Sequence, residues 1–401
     1  MKKLLSVVLA LLMLAVMLPV VSLADDANYC TIEGVEGKFD TLTAAAKAWR
    51  ESKQIVTEGP TLGGHPAELT EVESIEWNIY GTVPSGDGAG VIGTSGSILS
   101  GGYIYPSITI KSVTVNGFNN ATITKTGTEP KAPYVGCSAN SVEFTNITFA
   151  DSMRNEGDPG SSTFTNCTFK ADLRMPHNRE NATLKVENCT FTGEVASDYA
   201  IFVQGPQNGT MSNVVLSGNN ISGYQRGVNV QAGNSARVSI TGNTITNLTG
   251  YTKNDQTYGA AIQLTTGREF IITNNKIDVN TGNAFRFYSG LDADVTISDN
   301  IIKAPYLVWN QAELPNEKIT SQDNKLTITN PNKAATSDGA LEDATVIKAA
   351  PTQIVIITPA GDTPKTDDQK NPTTGANDMV AAAAALMAVS ALGMAVLSRK
   401  K

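Results

Sequence analysis

Ile240-Thr-Gly-Asn-Thr-Ile245, Ile272-Thr-Asn-Asn-Lys-Ile277 and Ile297-Ser-Asp-Asn-Ile-Ile302 are one hexapeptide read three times. Each is apolar at both ends and carries asparagine in fourth place. The same frame fits Phe144-Thr-Asn-Ile-Thr-Phe149, Phe164-Thr-Asn-Cys-Thr-Phe169, Val186-Glu-Asn-Cys-Thr-Phe191, Leu216-Ser-Gly-Asn-Asn-Ile221 and Ser321-Gln-Asp-Asn-Lys-Leu326. The last apolar positions lie 20, 22, 30, 24, 32, 25 and 24 residues apart. A period in the low twenties, lengthened by insertions, is the signature of a solenoid whose coils carry variable loops. The β-branched, period-two flanks, such as Ser239-Ile240-Thr241 and Val295-Thr296-Ile297, make the unit a strand.

The fourth position reads Ile147, Cys167, Cys189, then Asn219, Asn243, Asn275, Asn300 and Asn324. Stacked coils set equivalent residues about 4.8 Å apart, where asparagine amides can bond to one another and to the turn backbone. Asn, and Gly in the position before it, tolerate the left-handed backbone such a turn needs. These residues resemble the right-handed parallel β-helix of the pectate-lyase superfamily, over about residues 104–328. The resemblance implies an all-β, single-stranded solenoid and says little about chemistry. Upstream, residues 39–50 form an amphipathic stretch with Leu42, Ala45, Ala46 and Trp49 on one face. A short N-terminal helix there would cover the first coil. Residues 75–80 and 108–115 read as early strands, 84–102 as loop and 353–357 as a last edge strand.

The termini give an address. Asn371-Pro372-Thr373-Thr374-Gly375 precedes an apolar run from Met379 to Leu397 and then Arg399-Lys400-Lys401. Nineteen helical residues span about 28 Å, enough for a bilayer core, and the cations stay cytoplasmic. This order resembles the cell-wall sorting signal of Gram-positive surface proteins, with Asn371 where leucine is usual. The resemblance implies cleavage by a sortase between Thr374 and Gly375 and attachment to peptidoglycan. Lys2 and Lys3, the apolar residues 4–21 and Ser22-Leu23-Ala24 read as a signal peptide. The expected organisation is a signal peptide (1–24), a cap region (25–55), a β-helix (56–357), a linker (358–370), the sorting motif (371–375), and a transmembrane helix with basic tail (376–401).

The formal charge is −8; five cations and one acid fall in the removed ends, leaving −12 on residues 25–374. Such a chain is a poor partner for nucleic acid or anionic lipid, and repels anionic polysaccharide unless a local basic groove or bound cation intervenes. Cys167 and Cys189 share a register in neighbouring coils and read as small buried fillers with free thiols, a disulfide being the alternative. Cys30 and Cys137 allow no pairing inference. Two histidines and no paired Cys-x-x-Cys argue against zinc.

Hydrolysis by clustered aspartates finds no support: His65 and His177 stand alone, and the Asp-Asp pairs lie in the tails. Arg174-Met-Pro-His-Asn-Arg179 resembles the Arg-x-Pro-x-x-Arg element of pectate lyases, which implies Arg174 as β-elimination base and a calcium site of several carboxylates. The nearest acids upstream, Asp151, Glu156 and Asp158, fall in one loop. Three or more carboxylates from different coils around Arg174 would favour the enzyme. No other cofactor is expected. The binding reading places loops at 151–162, 195–210, 225–236, 249–267 and 280–294. They carry Tyr199, Phe202, Tyr224, Tyr251, Tyr258, Phe285, Phe287 and Tyr288. Tyr251, Tyr258 and Tyr224 are the candidate contacts for a sugar or protein ligand. The expectation is thus a wall-attached adhesin or glycan-binding protein, whose partners are sortase, peptidoglycan and an extracellular glycan or surface protein. The alternatives are a polysaccharide lyase and a passive spacer.

Overall fold

The computed structural model describes residues 28–52, 70–86, 98–99, 102–103, 108–125, 139–154, 160–176, 180–194, 197–205, 211–253, 256–336, 341–343 and 353–355. The expected signal peptide, linker, sorting motif and transmembrane helix fall outside these, as do Cys137, His177 and Arg179. No helix among the described residues is long and apolar enough to cross a membrane.

The coil begins where the amphipathic stretch ends it. The helix Leu42–Ser52 buries Leu42, Ala45, Ala46 and Trp49. Its first turn is capped by Thr41, whose Oγ1 accepts from the Ala44 amide at 3.1 Å. Beside it Tyr29–Ile32 runs antiparallel to Thr70–Pro84, which in turn lies parallel to Ile108–Thr124. The two early strands are therefore longer than the apolar alternation alone indicates. The stretch expected as loop contains a short antiparallel pair, Ile98–Leu99 with Gly102–Tyr103.

Each later coil has a first strand, a tight turn and a second strand, and all but the last described coil add a third strand. The first strands, from Ser141–Thr145 to Ile319–Gln322, stack in parallel so that Phe144, Phe164, Val186, Leu216, Ile240, Ile272 and Ile297 superpose. The second strands superpose Phe149, Phe169, Phe191, Ile221, Ile245, Ile277, Ile302 and Leu326. Gln353–Val355 extends this column from Lys325–Ile328, as an edge strand should. Both columns point inward and are buried. The register of the hexapeptides is therefore that of the molecule.

The turn between them is uniform. Asn146, Asn166, Asn188, Gly218, Gly242, Asn274, Asp299 and Asp323 all have φ between 52° and 67°. Asparagine, aspartate and glycine are the residues for which that backbone costs least. The left-handed residue is thus the one before the ladder, and the ladder asparagines themselves are not left-handed. Each ladder amide is satisfied on both sides. Asn243 Oδ1 accepts from the Asn219 backbone N–H at 2.9 Å and from its Nδ2 at 2.9 Å. Asn275, Asn300 and Asn324 repeat the pattern, and every Nδ2 also donates to a carbonyl one coil back. The cysteines continue the column in a weaker form. Cys189 Sγ and Cys167 Sγ donate to the carbonyls of Phe164 and Phe144 at 3.5 Å each, and the Cys167 N–H points to Cys189 Sγ at 3.4 Å. Both thiols are free and buried, as is Cys30. Burial pushes the Cys30 thiol up to about 12, and the contact with Cys167 together with burial raises that of Cys189.

One expectation is corrected here. All five segments read as insertion loops contain strands. Met153–Arg154, Leu173–Pro176, Tyr199–Gln204, Arg226–Gln231, Ala260–Thr266, Asn283–Phe287 and Tyr306–Asn310 form a seven-stranded parallel sheet, the third wall of the coil. Phe285 and Phe287 point into the core and are fully buried. The physical reason is that backbone groups enclosing a core need partners, and the next coil supplies them. Among the described residues of these segments, part of 249–267 leaves the wall as the hairpin Tyr251–Lys253 with Gln256–Tyr258.

Candidate functional site

Along the third wall the inward positions are apolar, and the residue between them faces out: Val228-Asn229-Val230, Ile262-Gln263-Leu264, Phe285-Arg286-Phe287. The parallel register lines these outward residues into one row. Arg174, Phe202, Asn229, Gln263, Arg286 and Trp309 follow one another, one per coil.

This outward row is unlike a solvated sheet face. Asn229, Gln263, Arg286 and Trp309 are all buried, because large neighbours cover one another. Tyr199 stacks with Phe202 at 5.8 Å, and the Arg226 guanidinium lies 4.0 Å from the Tyr199 ring centroid. The Tyr199 hydroxyl donates to Gln263 Oε1 at 3.1 Å, and Arg286 Nη1 donates to the same oxygen at 3.3 Å. Gln263 Nε2 donates to Thr265 Oγ1 at 3.2 Å, which donates to Asn229 Oδ1 at 2.8 Å. The Arg286 guanidinium lies 4.1 Å from the Trp309 ring and 4.7 Å from that of Tyr288. Burial lowers the proton affinity of Arg286 and raises the Tyr199 phenol above its ordinary range. Aromatic faces joined by amides and a guanidinium match the mixed apolar and hydrogen-bonding character of a sugar ring.

Of the residues expected at a site, Arg174 joins this row, but its charge is already met. Arg174 Nε donates to Asp172, a buried carboxylate that also takes the Ser152 hydroxyl and, at 3.4 Å, that of Ser197. One carboxylate of its own coil is all that Arg174 pairs with among the described residues. Nor do the described residues contain a group of three or more His, Cys, Asp or Glu side chains placed to hold a metal. Tyr224 is corrected outright. Gly223, at φ +84°, turns the chain so that the Tyr224 ring enters the core, 1% exposed. Its hydroxyl donates to the carbonyls of Ala171 at 2.7 Å and Phe169 at 3.3 Å. Tyr251 and Tyr258 face each other across their hairpin, ring centroids 5.2 Å apart, with Tyr251 47% exposed. They belong to a separate projection from the wall.

Gln263, Arg286, Asn229 and Trp309 escape the sequence reading because nothing fixes their distance from the asparagine turn. They stand 10, 20, 11 and 9 residues after Asn219, Asn243, Asn275 and Asn300 for Asn229, Gln263, Arg286 and Trp309 respectively. The signal that would find Asn229, Gln263 and Arg286 is the triplet itself, one polar residue between two apolar ones; Trp309, between Val308 and Asn310, lacks it.

No curated protein and no solved structure matches the chain. Residues 152–326 match the family model described as the right handed beta helix region. With the parallel register on all three walls, the coils form a right-handed parallel β-helix.

Proposed function

We propose that the protein is exported, fixed to the cell wall through residues 371–375, and binds glycans on the outward face of its third wall. The observation that carries this is the row Phe202, Asn229, Gln263, Arg286 and Trp309, flanked by Tyr199 and Tyr288. A spacer needs only a solvated outer surface, whereas here large rings and amides are packed into a shared patch. The lyase alternative loses its footing at Arg174, whose single acidic partner already holds it. A base for β-elimination has to be free to take a proton and needs nearby charge to acidify it.

Two measurements test the proposal. The purified full chain on a glycan array is expected to bind a subset of sugars without releasing unsaturated product. Trp309→Ala is expected to weaken that binding by about tenfold or more, because it removes the ring on which the Arg286 guanidinium is stacked at 4.1 Å. No retained sugar, or retention indifferent to Trp309, would refute the glycan reading. For the address, wall digestion should release a chain ending at Thr374, and Thr374→Ala should leave the chain in the membrane fraction.

A further inference from the structure

We infer that the patch around Arg286 selects a glycan carrying one isolated monoanionic group, a carboxylate or a sulfate ester, and rejects repeating polyanions. This rests on the glycan-binding reading and sharpens it.

Three arginine side chains are described on this face, and two are neutralised within the protein. Arg174 pairs with Asp172, and Arg226 Nη2 lies 3.2 Å from Asp198 Oδ2. Arg286 has no carboxylate within ion-pair distance among the described residues. Its Nη1 and Nη2 donate to two neutral amides, Gln263 Oε1 at 3.3 Å and Gln311 Oε1 at 2.8 Å. Its Nε is buried without any hydrogen-bond partner. Only 7% of the residue meets solvent. A guanidinium so far out of water, with no counter-charge, is an expensive thing to keep in a fold. Stacking on Trp309 and Tyr288 offsets part of that cost and leaves the charge unmatched.

The neighbours define what would match it. Gln311 is exposed, so an anionic oxygen can take its place on Nη2, exchanging a neutral acceptor for a charged one. Tyr288, 38% exposed beside the guanidinium, offers a wall for the sugar that carries the anion. One uncompensated arginine among the described side chains of this face balances one negative charge. A chain acidic overall, −8 by formal count, then repels any polymer bearing a charge on every residue.

The purified full chain would be titrated with lactose, sialyl-lactose, sulfo-lactose and tri-galacturonate. At least one singly charged probe is expected to bind about ten- to a hundredfold tighter than lactose, the ratio for a charge-assisted hydrogen bond. Arg286→Gln should reduce that preference to near unity. Should Arg286→Gln fail to fold, salt gives the same answer on the unaltered protein. The preference over lactose should shrink about threefold or more between ~0.05 and ~1 M salt. Equal binding of lactose and both charged probes would overturn the inference while leaving glycan binding intact. So would tightest binding of tri-galacturonate, or no binding of either singly charged probe. If the array shows no sugar bound at all, the glycan reading fails first and the inference with it.

Discussion

Asn275→Ala is expected to destabilise the β-helix by about 3–5 kcal/mol, measured by urea unfolding of the purified chain. Asn275 sits mid-ladder and makes contacts in both directions. Its Oδ1 accepts from the backbone N–H and the Nδ2 of Asn243, at 2.9 and 3.0 Å. Its Nδ2 donates to Ile240 O at 2.8 Å and Asn300 Oδ1 at 3.0 Å. Alanine leaves the Asn243 N–H buried with no acceptor, at about 1–3 kcal/mol, and removes three further bonds worth about 0.5–1.5 kcal/mol each. The effects are not additive along the column. Asn275→Ala and Asn300→Ala share a bond, so the double variant should cost less than the two singles summed. Asn275→Asp separates bonding from shape. A carboxylate there still accepts from Asn243 but presses oxygen against the carbonyl of Ile240 and the amide oxygen of Asn300. Burial among acceptors raises its folded pKa above the unfolded carboxylate value of about 3.9. Its stability is therefore highest below about pH 4 and falls as pH rises through the raised value. A cost under about 1 kcal/mol for Asn275→Ala would mean that the column is decorative.

Phe169→Ala carries the other large effect, about 3–5 kcal/mol. Phe169 is fully buried, and its ring centroid lies 5.0 Å from that of Phe149, 4.6 Å from Phe191 and 5.7 Å from Phe164. The first two contacts are stacked and the third is edge-on, so one truncation takes a ring out of a five-ring cluster that also includes Phe144. Coils contact their neighbours only, so the loss should be local. Hydrogen exchange should speed most in Ser161–Thr165 and Thr183–Glu187 and least in Asp294–Ser298. Phe169→Leu, which keeps most of the volume, should cost under half as much. Uniform acceleration along the whole helix would contradict the coil-by-coil account.

What the sequence disclosed and what it hid have the same origin. The first and second strands flank a turn of fixed length, with one left-handed residue and one laddered amide. That constraint repeats Asn219, Asn243, Asn275, Asn300 and Asn324 at readable intervals. The cap helix was equally plain, because Leu42, Ala45, Ala46 and Trp49 recur at helical spacing. The third wall lacks such a clock. Its connections vary in length, and a hairpin intrudes before Ala260–Thr266, so its strands read as loop and its inward rings as loop aromatics. For the same reason the sequence makes Tyr224 read as a surface contact, although the ring is buried. A tyrosine between Gly223 and Gln225 has the composition of a surface turn, yet two carbonyls inside the coil accept its hydroxyl. Arg286 was invisible singly, since its importance lies in lacking the acid that Arg174 and Arg226 each possess.

The most direct test uses the three tryptophans of the chain as reporters. In protein labelled with fluorotryptophan, Trp49 lies in the cap and Trp77 in the first coil, both fully enclosed, while Trp309 ends the outward row. Titration with sialyl-lactose or sulfo-lactose, whichever binds, should move the Trp309 fluorine resonance in proportion to occupancy and leave the other two in place. Saturable binding with an unmoved Trp309 signal would put the sugar elsewhere on the molecule and contradict the site.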